Sequence, residues 1–142
     1  MRIAAAFVVL AWLAALSRYD IRQRRLPNAL TLTGAVVVPA VATVAGRGLA
    51  ALAGAVALTA VYLVVHCVGP DGMGAGDVKL AIGLGALTGC FGIGVWFLAA
   101  VGAPLLTAAL AVVAMARGAG RSVPHGPSMC LASAAGIGLA LC

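Results

Sequence analysis

Residues 95–116 read VWFLAAVGAPLLTAALAVVAMA, a stretch without one charged side chain. A helix needs about 20 apolar residues to cross the hydrocarbon core of a bilayer, so this stretch predicts a transmembrane helix. The rest of the chain has the same character, since 64% of its residues are apolar and 8% are charged. A soluble domain carries about a quarter charged residues. The composition therefore indicates an integral membrane protein without a large aqueous domain.

Five more apolar runs lie at residues 3–17, 29–45, 49–68, 80–90 and 128–142. The sequence thus predicts an all-α, polytopic membrane helix bundle with about six transmembrane helices, in a single domain over residues 1–142. Several runs are shorter than an upright crossing requires, so local thinning of the bilayer must accommodate them. The first run also fits a cleaved signal peptide, but the basic cluster after it favours a retained helix.

The net charge of +6 has two explanations. Nucleic-acid binding would place basic side chains along one face, whereas these lie in short segments between apolar runs. That placement follows the positive-inside rule, so we expect no nucleic-acid partner and a cytoplasmic location for the richer side. Counting crossings puts on that side Arg18, Arg22, Arg24, Arg25, Lys79, Arg117 and Arg121, and leaves Arg2 and Arg47 opposite.

Three polar segments meet on the basic side, at residues 18–28, 68–79 and 117–127. Two crossings separate each segment from the next, so the chain returns to the same face every time. We therefore expect these segments to lie together at the cytoplasmic boundary of the membrane.

The chain has only three acidic residues, Asp20, Asp71 and Asp77. Asp71 stands in a Pro-Asp-Gly turn, and a structural role suits it best. Asp20 follows the first run and Asp77 precedes the fourth, and acids at membrane depth are usually functional. Two such carboxylates brought together share one proton, so one can activate water while the other donates to a scissile carbonyl. The simpler alternative is a structural ion pair with Arg22 or Lys79.

No metal or cofactor site is predicted. The four cysteines form no CxxC pair and have no histidine at ligand spacing, which leaves them as small apolar residues. Gly74 and Gly76 lack side chains, so backbone or substrate can approach Asp77 closely. Their segment resembles a phosphate-binding loop only weakly, because it lacks the GK[ST] ending. His66 and His125 are expected to be satisfied interface residues, since a histidine needs a partner to act.

Three segments carry a family resemblance. DIRQRRLPN, residues 20–28, resembles the D-x5-[IL]-P-N segment of the type 4 prepilin peptidases. GAGDVK, residues 74–79, resembles their GxGDxK segment, and RSVPHGP, residues 121–127, resembles their late R-x-x-P-x-G-P segment. The order and the intervening helices agree across essentially the whole chain.

The resemblance implies a membrane aspartic endopeptidase of the bacterial inner membrane, with Asp20 and Asp77 as its catalytic pair and no cofactor. Its substrates would be prepilin-like proteins, cut at the cytoplasmic boundary behind a basic leader. We expect Asn28 to cap the second helix after Pro27, and Arg22 to be the arginine nearest the site. The supporting residues are Arg22, Pro27, Asn28, Gly74, Gly76, Lys79, Arg121, Gly126 and Pro127.

Two departures from the family pattern matter. Long members carry paired CxxC motifs and also methylate the new N-terminus, but this chain has no CxxC. It is similar to the short, peptidase-only form found with Flp/Tad-type pili, for which methyltransferase activity is not expected. His125 stands where the family usually has phenylalanine.

Two other functions fit parts of the sequence. A small transporter or channel could use intramembrane acids and kinked helices, although these acids cluster at one boundary. A non-catalytic pilin-assembly protein could retain the same fold. Replacing Asp20 or Asp77 with asparagine separates them, because a peptidase loses cleavage and a binding protein keeps its interaction.

Overall fold

A computed structural model describes residues 2–120 and 122–142, and within them it contains six helices and no strand. The predicted all-α class is confirmed. The helices extend past most of the apolar runs because polar flanking residues continue the backbone hydrogen bonding. Their bounds are α1 Arg2–Gln23, α2 Asn28–Val44, α3 Gly48–Val68, α4 Ala75–Gly89, α5 Ile93–Ala116 and α6 Gly126–Leu141.

Three helices in the described part of the chain are long and apolar enough to cross a membrane: Ile3–Gln23 within α1, Gly48–Val68 and Ile93–Ala116. The apolar helices α2 and α6 are shorter. Large apolar side chains on the outer surfaces of the bundle are exposed, as lipid contact requires. They include Phe7, Val36, Val56, Phe97 and Leu105.

The short helix α4 forms the centre of the bundle. It has 15 residues, which at about 1.5 Å per residue gives a length near 22 Å. Helices α2, α3, α5 and α6 all pack against it, so Leu80, Ala81 and Leu84 are almost completely buried. Because neighbouring helices surround α4, its apolar side chains contact protein rather than lipid.

Glycines let α3 and α4 approach each other closely. A Cβ added at Gly85 would lie 2.5 Å from the Gly54 carbonyl oxygen and 2.9 Å from Leu58 Cβ. Real Cβ atoms do not come that close to backbone, so the two helices share a contact that only small residues permit.

Gly85→Ala is therefore expected to lower the free energy of unfolding by about 1–3 kcal/mol, the usual range for overpacking. Thermal unfolding in detergent micelles measures this change. Gly94→Ala in α5 is the control, because an added Cβ there meets nothing within 4 Å. Equal unfolding temperatures for the two variants would contradict the close packing.

The connection between α1 and α2 turns at Arg24, whose φ is 49°. Left-handed backbone is uncommon outside glycine, and here it ends α1, with the Arg24 N–H donating to the Asp20 carbonyl oxygen at 2.9 Å. Pro27 then occupies the N-cap position of α2 in extended conformation. The prediction that Asn28 caps this helix is wrong, because Asn28 is already its first residue.

Two other turns contain a glycine in left-handed backbone. Gly46, with φ of 74°, connects α2 to α3, and Gly92, with φ of 108°, connects α4 to α5. Glycine adopts such angles without the steric cost that a side chain adds. Both turns lie at the opposite end of α4 from Asp77.

Candidate functional site

Two of the three acids are buried, and both lie at helix ends. Asp20 is in the last turn of α1 and is 7% exposed, and Asp77 is in the first turn of α4 and is 9% exposed. Asp71 is exposed in the turn between α3 and α4, as the sequence predicts. Buried carboxylates need hydrogen-bond donors or a proton, so their immediate partners define the site.

Asp20 contacts the beginning of α6. The backbone N–H of Gly126 donates to Asp20 Oδ2 at 2.9 Å. Gly126 is the first residue of α6, where backbone N–H groups lack partners within the helix and the helix dipole favours a negative charge. Pro127 follows in the first turn, a position at which its missing N–H costs nothing. The contact stabilises the ionised form of Asp20.

Gly126 also has no room for a side chain. A Cβ added there would lie 2.6 Å from Asp20 Oδ2 and 3.1 Å from Asp20 Cγ. The glycine of the third motif thus permits the carboxylate to reach the helix end.

The side chain of Asp77 lies near Gly74, the residue just before α4, where an added Cβ would be 3.8 Å from Asp77 Oδ2. Gly74 occupies the N-cap position, and its carbonyl oxygen accepts the Asp77 N–H at 3.1 Å. Asp77 lies outside the three candidate membrane spans. Burial and, to a smaller extent, the charge of the Asp20 carboxylate raise the pKa of Asp77 to about 6. A hydrogen bond from the Gly74 backbone acts in the opposite direction.

Asp20 and Asp77 lie at the same end of the bundle, and the charge of Asp20 acts on the pKa of Asp77. A pair of this kind titrates as a unit, and the first proton is lost from the pair rather than from either residue alone. The Gly126 N–H supports a negative charge on Asp20, and burial favours the protonated form of Asp77. One acid and one base are thereby available at the same place.

The other predicted site residues divide into two groups. Lys79 Nζ donates to Asn28 Oδ1 at 3.0 Å, which ties the start of α4 to the start of α2. Gly76 lies against Leu26, whose Cβ would be 3.3 Å from an added methyl group. Pro27 stands just before α2. These residues join the first two motifs.

Of the two remaining predicted residues, the structure describes Arg22 only. The side chain of Arg22 is exposed, and the guanidinium whose charge acts on Asp20 is that of Arg24. Arg24 also donates to Ser122 Oγ, so it links the first and third polar segments. Arg121 lies outside the described residues.

Each of the two histidines makes hydrogen-bond contacts outside its own segment of the chain. His66 Nδ1 lies 2.6 Å from the carbonyl oxygen of Met73, just before Gly74. His125 lies between Tyr62 and Thr107, with Nε2 3.1 Å from the Tyr62 hydroxyl and Nδ1 2.6 Å from Thr107 Oγ1. Burial lowers the pKa of His125. The expectation that both are satisfied interface residues agrees with these contacts.

A shallow apolar groove of about 350 Å³ runs between α1 and α6. At one end it is lined by Ser17 and Pro127, next to Asp20 and Gly126 in the chain. Leu10 and Ala134 line it farther along the same two helices. The groove therefore extends along the bundle surface toward the end of α1 that contains Asp20.

Across the described ranges, no three His, Cys, Asp or Glu side chains are grouped so that they could hold a metal ion. The donors around the two carboxylates are instead backbone N–H groups. The chemistry that this set offers is proton transfer between the carboxylates and a third group.

The fold and the site define an all-α membrane protein with a coupled acid pair at one end of its bundle. The chain belongs to the type IV leader peptidase family, whose model matches residues 7–141. The predicted family is confirmed, and with it a membrane peptidase that acts on protein substrates. No curated protein and no solved structure matches the chain significantly.

Proposed function

We propose that this protein is an aspartic endopeptidase that removes the basic leader from Flp/Tad-like type IV prepilins, with Asp20 and Asp77 as its catalytic pair. The observation that carries the proposal is the coupling of two buried carboxylates that stand in the first two family motifs. Family membership supplies the peptidase activity, and the acid pair supplies a mechanism for it.

In this mechanism the ionised Asp20 takes a proton from water while the water oxygen bonds to the scissile carbonyl carbon. Asp77 gives its proton to the carbonyl oxygen. The tetrahedral intermediate then collapses as the C–N bond breaks, and the leaving amine takes the proton from Asp20. A hydroxyl proton of the intermediate returns to Asp77, so the pair ends in its starting state.

We further propose that the six helices cross the inner membrane as one domain and that the site faces the cytoplasm. The excess of arginine in the segments around the carboxylates supports this orientation. The groove between α1 and α6 suits the apolar helix of a prepilin, because it is apolar and extends toward the end of α1 that contains Asp20. The peptide bond behind the leader would then meet the two carboxylates at the membrane boundary.

Co-expression with a Flp-type prepilin tests the function. We expect a product cut just after the leader, typically behind glycine, with a free and unmethylated N-terminus. Mass spectrometry of the product gives both the cut position and the methylation state. A prepilin that stays intact beside this protein, while an authentic prepilin peptidase processes it in parallel, would contradict the proposal.

A further inference from the structure

We propose that His125 is a positioning residue, which holds the beginning of α6 so that the Gly126 N–H points at Asp20. This inference rests on the proposed function, since it assigns a role in supporting the Asp20 carboxylate. It starts from the hydrogen bonds of His125 with Tyr62 and Thr107, which belong to α3 and α5 rather than to α6.

The partners of Thr107 determine which nitrogen of His125 carries the proton. Thr107 Oγ1 donates its only hydrogen to the Ala103 carbonyl oxygen at 3.0 Å. It can therefore only accept from His125, so Nδ1 carries the hydrogen and donates to it. In the neutral ring Nε2 is then an acceptor, and the Tyr62 hydroxyl donates to it. One directed series of hydrogen bonds therefore runs from Tyr62 through His125 and Thr107 to Ala103.

The side chains in this series of hydrogen bonds cannot easily find other hydrogen-bond partners. Tyr62 is 3% exposed, and its ring lies 5.6 Å from that of His125, centroid to centroid. Buried hydroxyl groups without partners are costly, so each link favours one orientation of the imidazole. His125 is thereby fixed to two helices that do not contain it.

His125 transmits this position directly to Gly126. It is the N-cap residue of α6, and its carbonyl oxygen accepts the Met129 N–H at 3.1 Å. The same peptide unit contains the Gly126 N–H that donates to Asp20. Rotation of His125 would turn this N–H away from the carboxylate. The series of hydrogen bonds thus connects the core of the bundle to the orientation of Asp20.

Removing either hydrogen bond should slow the chemical step without weakening substrate binding. For Thr107→Val and Tyr62→Phe we expect kcat to fall about 10- to 100-fold, the scale of a small displacement of a catalytic group. KM should stay within about twofold, because the network positions a side chain that acts mainly in the transition state. Prepilin cleavage by purified protein in detergent micelles measures both constants.

Matched variants make the test specific. Thr107→Ser keeps the hydroxyl and should retain activity within about threefold of the unmodified protein, since the acceptor for His125 remains. Thr43→Val removes a hydroxyl that donates only within α2, and Tyr19→Phe alters an exposed tyrosine. Both should cleave like the unmodified protein. If Thr107→Val does not accumulate in the membrane, Tyr62→Phe and His125→Leu carry the same comparison.

The outcomes separate this inference from the proposed function. If Asp20→Asn stops cleavage while Thr107→Val, Tyr62→Phe and His125→Leu all keep full kcat, the positioning role is wrong and the peptidase assignment stands. A raised KM with unchanged kcat would also contradict it. If Asp20→Asn still cleaves prepilin, the proposed function itself is wrong.

Discussion

Asp20→Asn and Asp77→Asn are each expected to reduce prepilin cleavage by about 10³-fold or more. Loss of general acid or base catalysis typically costs 10²- to 10⁴-fold, and each change removes a proton-transfer group that the mechanism needs in both halves of the reaction. Co-expression with a prepilin, followed by the ratio of intact to processed protein over time, measures the loss.

Folding should survive these two substitutions. Asparagine has nearly the shape of aspartate, and at position 20 its side-chain oxygen can still accept the Gly126 N–H. A neutral side chain also avoids placing two negative charges in one buried site. We therefore expect unchanged amounts of both variants in the membrane.

Asp71→Asn is the matched control, because it makes the same change at the exposed acid, and it should cleave normally. Cleavage by Asp20→Asn or Asp77→Asn at the rate of this control would contradict the assignment of the catalytic pair.

Gly126→Ala is expected to lower cleavage by about 10²-fold, the scale associated with misplacing a catalytic group by about 1 Å. The added methyl group would stand 2.6 Å from Asp20 Oδ2. Either the carboxylate or the end of α6 must then move, which breaks the hydrogen bond that supports the Asp20 charge. Cleavage kinetics of the purified variant give the loss in kcat.

Gly138→Ala makes the same change in the same helix and provides the control, since nothing lies within 4 Å of an added Cβ there. It should be fully active and slightly more stable, because alanine favours a helix by about 1 kcal/mol over glycine. Equal activity of Gly126→Ala and Gly138→Ala would show that the contact with Asp20 has no role in cleavage.

The helices of this protein can be read from its sequence with fair accuracy because lipid-facing residues must be apolar. Helix ends are harder to place. Helix α1 continues to Gln23, well beyond the apolar run that ends at residue 17, because a helix may carry polar residues where it reaches the membrane boundary. Its end is set by the left-handed turn at Arg24, which no periodicity indicates.

The same turn explains why the sequence does not single out Arg24. Arg22 and Arg24 lie in one basic cluster, and composition cannot separate them. The backbone reversal brings the charge of Arg24 toward Asp20 and its guanidinium to Ser122, while Arg22 remains exposed. Likewise, asparagine is a preferred N-cap residue, yet Asn28 is the first residue of α2. Its side-chain oxygen accepts a hydrogen bond from Lys79 instead of capping the helix.

The acids were predictable for a different reason, since only three occur and two of them border apolar runs. Tyr62 and Thr107 were not, because each lies within a long apolar run and resembles an ordinary packing residue. Only the position of His125 inside the third motif could have directed attention to them. Their importance comes from packing between helices that are distant in sequence, which a single sequence does not encode in any local signal.

The proposed mechanism requires that Asp20 and Asp77 share one site at one end of the bundle. Its most direct test is cross-linking of the Asp20→Cys, Asp77→Cys pair, after replacement of the four native cysteines, with a short bifunctional thiol reagent in native membranes. We predict an efficient intramolecular cross-link, and none for the control pair Asp20→Cys, Val44→Cys, which joins the site to the far end of α2. Failure of the first pair to cross-link, although both thiols react with a monofunctional reagent, would contradict the account.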